Sequence, residues 1–392
     1  MVVRSELSRG RVVLYIDSLK LGGAERVTLR LASWLHAAGW EPLLLTRKPI
    51  SWDFYSVPTG VSRHVEPVDP AWMRCLGPLA LPFRLLRLRA WMKHQQVCLV
   101  IGMTTIPAIK MLLARRGLGM PCVVSERNYP PLKPLGLPWR VLRRLTYPWA
   151  DLHLVQTEVV GRWLRRHLAA EPQLLLPNPV IWPLPDGEPR LDPQEWLEKA
   201  GVHADDPVLM AVGTKARQKG FDRLVDWFRE LAPRHPRLQL VIVGLAAGSY
   251  HGRDQQQDLR QQLSLDPSFR SRLHFPGQVG NLQQWYERAQ VFVLSSRYEG
   301  FPNVLLEAMA SGCCCIAADC PQGPAELIKD GLNGRLIPEQ ASQQIWVEAI
   351  DGLLQTPFQC QRFGSAARAV RERYEPGQLA RSFVDAMETL RR

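Results

Sequence analysis

Short apolar runs recur along this chain, spaced so that one helix fits between most neighbours. In the first half they are Val12–Ile16, Pro42–Thr46, Val97–Ile101, Cys122–Ser125, Leu152–Gln156 and Leu174–Leu176. Most are apolar without polar alternation, as parallel strands buried on both faces require. Ala24–Ala38, between the first two, repeats its apolar positions with a helical period. A second set follows: Val208–Val212, Leu238–Val243, His274–Phe275, Val291–Leu294 and Cys314–Ala317. Strand and helix in alternation predict an α/β chain with two doubly wound, Rossmann-like parallel-sheet domains facing a cleft. The run Pro177–Pro193 is dense in proline and turn residues and reads as the junction. The expected division is a domain over 1–180, a linker over 181–204, a domain over 205–377 and an amphipathic helix over 378–392.

At 392 residues and 46% hydrophobic content, the chain can fill two domain cores. Val97–Ile109 is the longest apolar stretch; Pro107 breaks it, so no membrane span is expected. Met1–Gly10 is polar and charged, so no secretory leader is expected and the cytoplasm is the expected compartment. Three of the eight cysteines, Cys313-Cys314-Cys315, open an apolar run. Neighbours on a strand point to opposite faces, so these three cannot share one ion. They read as buried, reduced thiols, and no metal is expected. Charge is uneven. Residues 1–180 carry 25 Lys and Arg against 11 Asp and Glu, while residues 181–392 carry 24 against 26. From Pro70 to Ser125 there are eight basic residues and no acid. An anionic partner is implied: a phospholipid surface, a lipid diphosphate or a nucleic acid. The basic residues form no nucleic-acid motif and no aromatic stacking platform, so nucleic acid is not expected.

The chemistry concentrates after Val291–Leu294. There the turn Glu299-Gly300-Phe301-Pro302-Asn303 leads into a helix beginning with Val304. Strand, tight turn and helix N-terminus converge backbone N–H groups and the helix dipole on an anion. Glu299 and Glu307 frame this site. Carboxylates cannot ligate phosphate, but they accept hydrogen bonds from hydroxyls. A ligand with both phosphate and vicinal hydroxyls, such as a nucleotide sugar, meets both demands. Lys219 follows Val208–Val212 between Gly213 and Gly220, at the carboxyl end of a strand where open α/β sheets bind ligands. Gly22-Gly23 lies between the first strand and its helix. No G-x-G-x-x-G is present and Thr46-Arg47-Lys48 ends the second strand, so a dinucleotide site is disfavoured. Ser125-Glu126-Arg127-Asn128 ends another strand.

The Glu299-to-Glu307 spacing around Gly-Phe-Pro-Asn resembles the retaining glycosyltransferases of family 4, which have the GT-B fold. The likeness continues through Gln218-Lys219-Gly220-Phe221-Asp222, Phe275-Pro276-Gly277, Gly312, Gly323, Glu326 and Asn333-Gly334, and at the other end through Gly22-Gly23-Ala24-Glu25. It implies transfer of a hexose or N-acetylhexosamine from a UDP-linked donor to a glycan or lipid-linked saccharide, as in bacterial polysaccharide biosynthesis, without a metal cofactor. By the same resemblance Glu307 holds the ribose and Glu299 orients the donor sugar. Gly213, Thr214, Lys215, Lys219 and the turn Gly300-Phe301-Pro302-Asn303-Val304 face the donor phosphates, Gly22-Gly23 touches the donor phosphate or the acceptor, while Glu126, Arg127 and Asn128 face the acceptor. The family usually has arginine where Thr214 stands, and Lys215 or Arg217 is the candidate substitute. No side chain stands out as a general base.

Leu81–Lys93 places Leu81, Leu85, Leu88 and Met92 on one stripe at ~100° per residue. Arg84, Arg87, Arg89 and Trp91 border it. Two readings remain: a helix lying in an anionic membrane interface, or a core-facing helix with snorkelling arginines. Pro138–Trp149 is a second basic, aromatic stretch. Two rival functions stand beside glycosyl transfer: an anionic-lipid or nucleic-acid binding module, and a GT-B nucleotide-sugar epimerase.

Overall fold

The structure is a computed structural model and describes residues 9–391 apart from 21, 128, 133–134, 247, 251–252 and 264–266. It comprises two compact units. One ends at Asn178 and takes up the chain again from Gly377; the other spans Pro179–Pro376.

The first unit is a seven-stranded parallel sheet. Its strands are β1 (Arg11–Ile16), β2 (Glu41–Thr46), β3 (Ser62–Val65), β4 (Val97–Met103), β5 (Cys122–Glu126), β6 (Leu152–Val155) and β7 (Gln173–Leu175), in the order β3-β2-β1-β4-β5-β6-β7. The chain winds outward from β1 to β3, then returns to lay β4 on the other side of β1. That reversal is a topological switch point, where the loops after β1 and β4 part and leave a crevice. Alternate residues of β1 feed the two cores: Val13 and Tyr15 one face, Val12, Leu14 and Ile16 the other. The helix Gly23–Ala37 buries Val27, Leu31 and Leu35 at helical spacing. The helix Pro376–Arg391 inserts Leu379, Phe383 and Met387 into the same core, with the Phe383 ring 6.3 Å from that of Trp34.

The second unit repeats the plan with β8 (Val208–Val212), β9 (Gln239–Val243), β12 (Leu273–Gly277), β13 (Val291–Leu294), β14 (Cys314–Asp319) and β15 (Arg335–Pro338), ordered β12-β9-β8-β13-β14-β15. A two-stranded hairpin, β10 (Ser249–Tyr250) with β11 (Arg253–Asp254), stands apart. The switch point lies between β8 and β13. Cys314 faces one core, while Cys313 and Cys315 face the other. Trp227 and Trp346 stack at 4.1 Å between ring centres. Residues 181–204, expected as a linker, lie within this unit. They carry the helix Pro193–Lys199, capped by Asp192, and bury Leu184, Leu197 and Val202.

The stripe on Leu81–His94 turns inward. Leu88 and Met92 are 3% and 0% exposed, and Leu85 packs on the same core. Arg84 pairs with Asp69 at 2.7 Å, while Arg87 donates to the Val68 carbonyl at 3.1 Å and Arg89 to that of Ala114 at 3.2 Å. Trp91 meets His64 edge-on at 5.4 Å. An apolar stripe beside a sheet is buried by the sheet first, and on the same helix Phe83 and Leu86 stay exposed at 43% and 62%. Among the described residues, no helix is long and apolar enough to cross a membrane.

Candidate active site

At the switch point of the second unit, the loops after β8 and β13 are bound to each other. Gly220 has φ +67°, and a Cβ there would lie 2.0 Å from the Ser295 carbonyl oxygen, so only glycine fits. The Ser295 hydroxyl donates to the Lys219 carbonyl at 2.8 Å, and the Arg297 amide donates to that of Gln218 at 2.9 Å. Arg297 then grips Asp222 through two bonds of 2.7 and 2.6 Å. Burial pushes the Asp222 carboxyl up, but the Arg297 guanidinium outweighs it and holds the group below the usual carboxylate range.

This frame brings together two residues 80 positions apart. Lys219 Nζ lies 2.7 Å from Glu299 Oε1, with side chains 16% and 6% exposed. Ser296, fully buried, donates to the same oxygen at 2.5 Å. Oε2 of Glu299 has no hydrogen-bond partner among the described residues. The carboxylate is thus held at one oxygen by an ammonium and a hydroxyl, and the other can accept from a ligand hydroxyl. Lys219, expected as a phosphate contact, is first of all the counter-ion of Glu299. Gly213 makes the pairing possible, since a Cβ there would press within 2.6 Å of Lys219 Cγ.

The helix Asn303–Ser311 starts immediately beyond. Pro302 takes the N-cap position and no side chain caps the helix, whose Leu305 and Leu306 amides donate to the Pro302 carbonyl at 3.0 and 3.1 Å. Pro302 itself has no N–H to offer, and the Asn303 amide is bonded to the Phe301 carbonyl at 2.9 Å. Gly300, Asn303 and Val304 are part-exposed, while Phe301 is buried against Tyr374. Glu307 is half-buried, and the buried Tyr286 hydroxyl donates to its Oε2 at 3.4 Å. Burial and the Glu307 charge raise the Tyr286 phenol well above its ordinary pKa, so it stays a donor. Thr214, Lys215 and Arg217 are exposed, and Thr214 accepts from Gln255 through its carbonyl.

One residue was missed by the sequence reading. Gln322 is 4% exposed, neither polar atom of its amide has a partner among the described residues, and its φ is +76°. The adjacent Gly323, at φ +98°, lies so near Pro302 that a Cβ would reach 2.2 Å from its Cδ. The Gln322 amide stands on strained backbone beside the Glu299 turn. The only signal in the sequence was a polar residue inside Cys320-Pro321-Gln322-Gly323-Pro324.

The remaining candidates belong to the first unit. Gly22 is the N-cap of the helix Gly23–Ala37, again without a side-chain cap, and its carbonyl accepts from Tyr55 at 3.3 Å. Glu126 is 1% exposed and accepts from Thr105 at 3.0 Å and Tyr147 at 2.9 Å. Arg127, also buried, donates to Asn178 and leaves Nε and Nη1 without partners among the described residues. Burial lowers its pKa to about 9. Asn128 lies outside the described residues. No group of three or more potential metal ligands occurs among the described residues.

The chain matches the family described as glycosyl transferases group 1 over residues 192–370 and the glycosyl transferase 4-like domain over 22–179. A Campylobacter jejuni relative, named as an α-1,4-N-acetyl-D-galactosaminyltransferase acting on an undecaprenol-PP-linked saccharide, is 28% identical over 331 residues, 83% of this chain and 84% of its own. The lipopolysaccharide 1,6-galactosyltransferase of Salmonella typhimurium is 29% identical over 194 residues, 48% of each. The chain spans less than half the length of the first curated relatives it matches, at 46%, 44% and 48%. Among solved structures, Anabaena HepE in complex with UDP superposes with a TM-score of 0.79 at 19% identity, over 97% of this chain and 100% of that one.

Proposed function

We propose that this chain, which matches the group 1 glycosyl transferases and the glycosyl transferase 4-like domain and has the GT-B fold, is a glycosyltransferase that moves a hexose or N-acetylhexosamine from UDP to a hydroxyl of a glycan or lipid-linked saccharide, with retention of anomeric configuration. The observation that carries the reading is the Lys219–Glu299 pair at the switch point of the second sheet. A ligand seated there meets a carboxylate oxygen, an ammonium and an uncapped helix N-terminus.

Glu307 accepts the ribose hydroxyls and the open oxygen of Glu299 accepts a hydroxyl of the donor sugar. Amides at the start of the Asn303–Ser311 helix take the diphosphate. As the glycosidic bond breaks, negative charge grows on the phosphate that leaves, and Lys219 is the nearest cation the frame holds in place. Stabilising that charge more than the ground state is what accelerates the step. Lys215 and Arg217, exposed on the same loop, supply further positive charge in place of an arginine at Thr214. No metal is required in this scheme.

Support for a UDP donor comes from the fold shared with HepE, and support for a lipid-linked acceptor from the name of the Campylobacter relative. An acceptor of that kind places the enzyme at the cytoplasmic face of a membrane. The first unit offers a face suited to it: Leu137, Val141 and Leu145, at helical spacing, are 67%, 49% and 57% exposed, and Arg140 and Arg144 are exposed beside them. Calorimetric titration with UDP and with a panel of UDP-sugars tests the donor. Failure to bind any nucleotide would overturn the reading.

A further inference from the structure

The end of the second sheet opposite the Glu299 turn carries a pair of thiols that glycosyl transfer does not use. There a cavity of about 430 Å³ opens at the amino ends of β13 and β14, beside the helix Pro357–Ala367. Cys313, Cys314 and Cys360 all contribute to its wall. Neighbours on a strand point to opposite faces, so only one of the first two can meet the helix. Cys314 does: it shares a core with Cys360, while Cys313 and Cys315 face the other core. Gly364, one helical turn beyond Cys360, lets the helix come this close. A Cβ at Gly364 would lie 2.1 Å from the Gly312 carbonyl oxygen.

The two thiols are hydrogen-bonded in series. Cys314 donates to Cys360, and Cys360 donates to the Leu353 carbonyl at 3.2 Å. The residues are only 3% and 7% exposed, so the cavity is their route to solvent. The hydrogen bond from Cys314 lowers the Cys360 thiol below its ordinary pKa, although burial opposes it. The same bond, together with burial, raises Cys314. Burial also raises Cys98, Cys122, Cys313, Cys315 and Cys320. Cys360 is thus set apart as a nucleophile, with a protonated thiol directly beside it, the arrangement from which a disulfide closes.

We infer that Cys314 and Cys360 form a modification site, at which a small disulfide such as oxidised glutathione converts the two thiols to an intramolecular disulfide. Cys360, its proton lost to solvent, attacks one sulfur of the reagent, forming a mixed disulfide and expelling a glutathione thiolate that takes up a proton. Cys314 then gives its proton to solvent and attacks the Cys360 sulfur, expelling the second glutathione thiolate. Two protein thiols are oxidised to one disulfide while the reagent disulfide is reduced to two thiols, and a dithiol reductant reverses both steps. The bond joins the helix Pro357–Ala367 to the first residue of β14. The site does not depend on the glycosyltransferase reading.

The test incubates the native full chain with oxidised glutathione, in a Cys75→Ser background that removes the exposed thiol. Remaining thiols are alkylated in urea, and the chain is weighed and fragmented by mass spectrometry. Expected is a chain lighter by two hydrogens, with fragments placing the bond between Cys314 and Cys360 and both thiols restored by dithiothreitol. Cys314→Ser should instead stop at glutathione bound to Cys360, and Cys360→Ser should leave Cys314 free. Circular dichroism checks that each variant folds, and the parent chain is decisive by itself should either fail. Cys314 and Cys360 both remaining open to alkylation in the native chain, a bond to any other cysteine, or a bond that forms only in urea would overturn the proposal. So would a folded Cys360→Ser variant whose Cys314 takes up glutathione as fast as the parent forms its disulfide.

Discussion

Glu307 accepts a hydrogen bond from the Tyr286 hydroxyl, and a carboxylate offers more acceptor sites than one such bond uses. Each charge-assisted bond to a ribose hydroxyl contributes about 1.5–3 kcal/mol. Glu307→Ala should therefore lower UDP affinity at least tenfold while circular dichroism reports an unchanged fold; wild-type affinity would remove Glu307 from the ribose. Lys219 and Glu299 make a sharper case. With side chains 16% and 6% exposed, removing one partner strands the other. Lys219→Met should cost about 3–5 kcal/mol of stability. The double variant Lys219→Met, Glu299→Gln should regain much of that stability and still turn over poorly. Recovery of turnover along with stability would reduce the pair to a structural role. Gln322 runs the other way. Gln322→Met removes two unsatisfied buried atoms, so melting temperature should hold or rise while kcat/KM falls. Of these residues, Glu299, Glu307 and Lys219 could be read from the sequence because glycines and a strand end framed them. Gln322 could not, because its distinction is a missing partner, which only packing reveals. That Lys219 faces Glu299 was equally hidden, since two loops 80 residues apart must fold together first.

At the scale of elements, the buried central strands announced themselves, and two edge strands of the main sheets did not. Val12–Ile16 and Val208–Val212 are covered on both faces and read as unbroken apolar runs. Ser62–Val65 and Arg335–Pro338 lie at sheet edges, half-exposed, and their sequences SRHV and RLIP carry no such run. The helices show the complementary difficulty. The stripe on Leu81–His94 was visible, but periodicity cannot say whether an apolar face meets a sheet or a membrane. Burial decides: Leu88 and Met92 meet the sheet. The exposed stripe is instead Leu137, Val141 and Leu145, with Arg140 and Arg144 beside it. Substituting Val141 and Leu145 by aspartate should release the protein from anionic vesicles in a co-sedimentation assay without lowering its melting temperature, since both side chains already face water. If sedimentation is unchanged, this helix is not the membrane contact.

For the molecule as a whole, the excess of basic residues in the first half is less available than its count suggests. Arg47, Arg63, Arg84 and Lys110 are each spent on an acid within their own unit. What remains for an anionic partner is local, as on the helix Leu137–Thr146. The two units also share a vulnerability to acid, each through one buried histidine. His153 donates from Nε2 to the Tyr147 carbonyl at 3.1 Å, and its Nδ1 is buried with no hydrogen-bond partner among the described residues. His274 lies 2.9 Å from the Gln239 amide oxygen, with Arg260 nearby. Burial lowers both, from 6.5 to about 4. A lowered histidine means that the folded state binds fewer protons than the unfolded chain between these values. Stability is therefore fully present above pH 6.5, falls as the pH drops through that value, and is lost in full below about 4. Between pH 7 and pH 5 each histidine should cost its unit about 2 kcal/mol. Urea unfolding at the two pH values should show that loss. His153→Gln, which keeps a donor for the Tyr147 carbonyl but cannot be protonated, should flatten it for the first unit alone. An identical pH dependence in that variant would show that other groups govern the acid transition.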